Sequence, residues 1–179
     1  MIPAGFMYKK VVAKPDWIEA DNVRDIYSVS HCVSHDFCDW INFWKHNGYW
    51  FFDNLSIMEE IAIANNVDLG KMKPFYYRVF SKQWDAELSS WSSFSAEKSF
   101  QTVVSEPLSP KVEGFDVVTY SVQTSAECSP LSCNNLAKTL STNAHCLFET
   151  FEEAHRALEN GSFDDSEPGP FRILEVNSL

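Results

Sequence analysis

Two periods of apolar residues alternate along the chain. The runs DIYSVSHCV at 25–33 and FDVVTYSVQ at 115–123 are rich in β-branched and aromatic residues and predict strands. Phe37, Trp40, Ile41 and Trp44 then fall at i, i+3, i+4 and i+7, the spacing of one helical face, and predict a helix over 36–47. Gly48 supplies its stop, with Lys45 and His46 in the last turn, where positive charge suits the helix dipole. Leu136, Ala137 and Leu140 form a shorter stripe of the same kind. A brief apolar stretch follows each stripe, at 49–52 and 145–148, and predicts a short strand. Ser56-Ile57-Met58-Glu59 and Thr150-Phe151-Glu152-Glu153 both read S/T-x-x-E, a capping box in which hydroxyl and carboxylate satisfy two orphan amides at a helix start. Gly161 ends the second of these helices, and strands at 75–81 and 171–176 close the pattern.

The chain thus reads β-α-β-α-β twice, over about 25–82 and 115–177. Tyr27-Ser28-Val29 recurs as Tyr120-Ser121-Val122, and the tyrosine precedes the capping residue by 29 positions in one half and 30 in the other. The expectation is an α/β (or α+β) fold, a single domain over 1–179 made of two similar halves that share a core, with helices packed outside the sheet. The connector 83–114 carries Trp84, Trp91, Phe94 and Phe100 among serines, then Pro107 and Pro110, so it packs on the core rather than swinging free. Residues before about Val23 cover a sheet edge. The second strand of each half is too short to set parallel against antiparallel pairing.

Composition narrows the function classes. With 179 residues, 45% of them hydrophobic, the chain can bury one core and is hardly long enough for two. A net charge of −11 repels a phosphate backbone, which argues against nucleic-acid binding; it favours a basic protein as partner or, more simply, keeps the chain in solution. The opening MIPAGFMYKK has no long apolar core, and no run approaches the roughly 20 apolar residues that span a bilayer. The expectation is a cytoplasmic protein off the membrane, its five cysteines reduced. There is no G-x-G-x-x-G, Walker loop, G-x-S-x-G or H-E-x-x-H, and six glycines leave little material for a phosphate cradle, so no cofactor is expected.

Candidate chemistry gathers in two strand-to-helix loops, SHCVSHD at 30–36 and QTSAECSPLS at 123–132. If the halves face each other, Cys32, Cys38, Cys128 and Cys133 meet with His31 and His35. Thiolates with imidazole suit zinc, although the first pair is spaced more widely than a C-x₂₋₄-C clasp. Cys128 or Cys133 with His145 as base, and Asn134 or Asn135 beside them, are the residue types of a thiol nucleophile site. The plainer reading makes these cysteines small buried hydrophobes at a Ser129-Pro130 turn, with Ser132 as an N-cap. Elsewhere His35, Asp39, Asn42 and His46 line one helical face, the pattern of a solvated side. Glu152, Glu153, Asp164, Asp165 and Glu167 crowd the C-terminal quarter and are the candidate contacts to a basic surface.

The leading expectation is therefore a non-catalytic intracellular binding module, of the kind that inhibits a basic protein as an immunity protein does. The alternative is a Cys/His-dependent enzyme or zinc-binding protein built on loops 30–38 and 123–133. Convergence of Cys32, Cys38, Cys128 and Cys133 on an open cleft reverses that order.

Overall fold

The computed structural model describes residues 1–30, 32, 33, 37, 48–94, 103–120 and 128–179. Its centre is β4 (Lys73–Asp85), thirteen residues long. Strand β1 (Ile2–Lys9) pairs with the first half of one edge of β4, and β5 (Ser90–Ser93) pairs with the end of β4. The other edge of β4 is taken by β7 (Phe171–Ser178), which pairs in turn with β6 (Lys111–Thr119). The order is β1-β4-β7-β6, with β5 off the path, and every pairing is antiparallel. A small ribbon joins β2 (Val12–Ala13) to β3 (Asp25–Ile26).

Among the described residues three α-helices accompany the sheet: α1 (Leu55–Asn65), the four-residue α2 (Pro130–Cys133) and α3 (Phe151–Glu159). The protein is a mixed α+β structure, with a mostly antiparallel sheet and few helices. Successive strand side chains point to opposite faces, and Phe75, Tyr76 and Tyr77 are all buried, so β4 is covered on both sides. Met58 and Ala62 of α1 and Ala154, Ala157 and Leu158 of α3 supply the buried stripes at helical spacing. Among the described residues no helix is long and apolar enough to cross a membrane.

The sheet reads alike from its two edges. Both β1 and β6 break register just before a glycine at positive φ, Gly5 at 134° and Gly114 at 146°. The next residue is a phenylalanine that bridges to another, Phe6 to Phe52 and Phe115 to Phe148. Two positions later an N-cap opens a helix, Asn54 for α1 and Thr150 for α3. The strand after each helix, β4 or β7, returns beside the strand that began the unit.

Several local expectations change. Among its described residues, the 25–33 run is strand only at Asp25–Ile26; beyond it, other groups take its backbone bonds, including the His145 carbonyl for Tyr27. Its β-branched content suited an extended conformation, and the strand partners went elsewhere. The segment before Val23 does not merely cover an edge, because β1 within it is an edge strand. The stripe at Leu136 is a single 3₁₀ turn, Leu136–Lys138, and the 49–52 and 145–148 strands shrink to the bridges at Phe52 and Phe148. Helix α1 is capped by Asn54, whose Oδ1 accepts from Ile57 N at 3.1 Å and from Ser56 Oγ at 2.7 Å. The Thr150 capping box forms as read, with Glu153 N donating to Thr150 Oγ1 and Thr150 N to Glu153 Oε2. The helix expected over 36–47, with its stripe of His35, Asp39, Asn42 and His46, falls outside the described residues except at Phe37.

Candidate metal centre

Two buried charges position the thiol loops. Lys9, at the end of β1, is 2% exposed and donates to the carbonyls of Ser28, Val29 and Ser30 at 2.6, 2.8 and 2.6 Å. Asp116, on the opposite edge strand β6, is fully buried and accepts from Val29 N at 2.8 Å and from Ser129 Oγ at 2.5 Å. One carboxylate therefore ties the segment leading to Cys32 to the turn between Cys128 and Cys133. A further bond from Thr119 N to the Cys128 carbonyl, 2.9 Å, fastens that turn to the end of β6. Burial pushes the Asp116 carboxyl up to about 6, against the opposing pull of its Ser129 and Val29 hydrogen bonds.

The turn itself follows from proline chemistry. Pro130 takes the first helical position, where its missing N–H costs nothing, and Ser129 stands before it in extended geometry. Ser132 lies inside this helix rather than at its cap. One turn of α2 then carries Cys133 back toward Cys128. With Cys32 arriving from the other loop, the three Sγ atoms all lie within 4.8 Å of one another. Cys32 is exposed, Cys128 buried and Cys133 half-buried. Around them, Cys128 Sγ donates to Asn134 Oδ1 at 3.3 Å, Asn134 Nδ2 donates to Glu167 Oε1 at 3.2 Å, and Ser30 Oγ is 3.8 Å from Cys133 Sγ.

Protons are shared unequally in this triangle. Hydrogen bonds from Cys128 and Cys133 draw the Cys32 thiol far below its usual range, while Glu167 opposes the shift. Cys128 moves up because its proton is held toward Cys133 and Cys32 and because it is buried. Cys133 also moves up: Cys128 donates to it, but its own donation to Cys32 and its burial outweigh that bond.

The other sequence candidates lie as follows. Cys38, His31 and His35 fall outside the described residues. His145 is turned toward Asp25 Oδ1, 2.5 Å from its Nδ1, with Glu113 Oε2 3.8 Å from its Nε2, and it stacks on Tyr27 at 4.0 Å between centroids. Of the acidic candidates, Glu153 serves the α3 capping box and Glu167 holds Asn134, while Glu152, Asp164 and Asp165 are exposed. Asp164 and Glu167 line a cleft with Asp85, Glu87, Phe163 and Phe171. Lys9 and Asp116 escaped the sequence reading; the only available sign was a carboxylate set between Phe115 and Val117 in a strand-like run. No family model, curated protein or solved structure matches this chain.

Proposed function

We propose that the protein binds a soft divalent cation, zinc in the first instance, through the thiolates of Cys32, Cys128 and Cys133. The convergence of three sulfurs within 4.8 Å carries the reading. A tetrahedral zinc ion with bonds of about 2.3 Å holds its sulfurs about 3.8 Å apart, so a small contraction of the triangle seats the ion. Thiolate donors select zinc over hard cations such as magnesium. Cys128 and Cys133 both donate toward the Cys32 sulfur, with Glu167 close by, so the cluster gathers negative charge where a cation would sit. A cation that replaces the protons relieves that arrangement. The position of His145 against Asp25 gives the alternative, a thiol nucleophile with His145 as base, less support. Docking of a basic protein stands lower too, because two of its five candidate carboxylates already serve bonds within the chain.

The same reading takes the chain as two copies of one frame, β1-α1-β4 and β6-α3-β7. The matched glycine bulges and phenylalanine bridges support it. Cys32 then belongs to the insertion between first strand and helix in one copy, and Cys128 and Cys133 to the corresponding insertion in the other.

Metal analysis of untagged, reduced protein tests the proposal. One zinc per chain is expected, and cobalt in its place should show a sulfur-to-metal charge-transfer band. Serine at Cys32, Cys128 or Cys133 should weaken zinc binding by more than about 100-fold, beyond what the loss of a supporting outer group costs. Cys146→Ala should retain the ion. A triple serine variant that still holds zinc with the cobalt band unchanged would remove this site from consideration.

A further inference from the structure

The three sulfurs differ in access, and that difference assigns them different chemistry. Cys32 is exposed, whereas Cys128 is 7% exposed and Cys133 lies partly covered behind it. A small oxidant arriving from solvent meets Cys32 first and finds two further thiols within 4.8 Å. The backbone before Cys32 is fixed by Lys9 and Asp116, and the Cys128 side by Asp116 and Thr119, so the thiols are held near one another before any reaction.

We propose that Cys32 is a modification site for hydroperoxides, and that its oxidised form is captured as a disulfide by one of the two sulfurs behind it. The inference concerns the same cluster as the metal proposal, but the chemistry needs only the thiols. In the first step Cys32 Sγ attacks one oxygen of hydrogen peroxide. The S–O bond forms, the O–O bond breaks, sulfur loses two electrons and the departing oxygen leaves as water after taking the thiol proton. In the second step the sulfur of Cys128 or Cys133 attacks the sulfenic sulfur. The S–S bond forms, the S–O bond breaks, and the hydroxyl leaves as water with the proton of the attacking thiol. One peroxide is consumed per disulfide. A bridge of about 2.05 Å requires the sulfurs to close up, which shifts of the exposed loop end can supply. When zinc is bound, the same two steps remove two of its three ligands from this cluster and release it.

The test uses full-length protein in a Cys38→Ser background, metal-free and zinc-loaded, with hydrogen peroxide at near-stoichiometric amounts. Peptide mapping of the metal-free protein should find Cys32 linked to Cys128 or Cys133, with Cys146 still reduced. Cys32→Ser should abolish both the link and peroxide consumption. In a Cys128→Ser, Cys133→Ser double variant, a sulfenic-acid probe should label Cys32 and find nothing when Cys32 is also serine. From the zinc-loaded protein, release of the ion should track disulfide formation one for one. A Cys128–Cys133 link with Cys32 reduced overturns the proposal, as does peroxide consumption unchanged in Cys32→Ser. If the chain fails to bind zinc yet forms the Cys32 link, the metal reading falls and the oxidation chemistry stands. If zinc binds and no Cys32 link forms, the reverse holds.

Discussion

Asp116 occupies a costly position for a carboxyl group, with no exposed surface. A carboxylate with no exposed surface must be stabilised by its donors, and Ser129 and Val29 are two, with Lys9 close enough to lower its pKa a little. Burial nevertheless wins, and the group titrates near 6 rather than near 3.8. The folded chain therefore holds this proton more tightly than the unfolded chain does. Stability from that proton is fully present below about pH 4 and is lost as pH rises through about 6, a swing on the order of 3 kcal/mol. Comparing urea unfolding of wild type and Asp116→Asn at about pH 4 and about pH 7 isolates the effect. The wild type should lose more stability over that interval than the variant, whose side chain does not titrate. Parallel profiles would mean that the carboxyl is not buried as described. The asparagine also offers one acceptor where two are used, so a uniform loss of about 1 kcal/mol should accompany the flatter profile. The cysteines that Asp116 brings together were legible from their loops, but the brace was not. A carboxylate inside an apolar strand looks the same in sequence whether it faces water or a neighbouring segment.

Among the elements, the edge strands depend on their glycines. At Gly114 the backbone has φ of 146°, and an added Cβ would lie 2.6 Å from the Phe148 carbonyl oxygen and 2.8 Å from the Leu147 Cβ. Neither is the tip of a flexible chain. The Phe115–Phe148 bridge, with bonds of 2.9 Å in both directions, would have to open. Gly114→Ala should therefore cost about 3 kcal/mol, while Gly70→Ala, where the nearest atom is the Asp68 Oδ1 at 3.1 Å and φ is ordinary, should stay within about 1 kcal/mol. Denaturant midpoints at unchanged slope would show this; equal costs would contradict the tight approach at the bulge. Element by element, the long signals were readable in the sequence. Strands β4 and β7 contain their predicted segments, and the Thr150 box starts α3. What failed was pairing. Strand propensity at 25–33 says that the segment suits an extended backbone, not that a partner is free beside it, and β1 claimed the edge of β4 instead. Antiparallel pairing likewise depends on contacts far apart in sequence, which no local pattern carries.

For the whole molecule, the proposed metal site would act as a clasp. It joins residue 32 to residues 128 and 133, and so closes a loop of about a hundred residues. Whatever binds the folded cluster and not the unfolded chain stabilises the fold by mass action, about 4 kcal/mol when free zinc is a thousand times its Kd. Thermal melts of reduced protein should therefore rise with added zinc and fall back with a chelator. A net charge of −11 complicates the reading, since any divalent cation relieves self-repulsion on such a surface. Magnesium separates the two effects. It is a hard cation that prefers oxygen, so it screens and binds carboxylates as zinc does but gains nothing from three sulfurs. At equal concentration and ionic strength, zinc should raise the melting temperature well beyond magnesium in the wild type, and the two should act alike in the Cys32→Ser, Cys128→Ser, Cys133→Ser variant. If magnesium matches zinc in the wild type, the stabilisation belongs to the acidic surface, and the clasp contributes nothing to the stability of the fold.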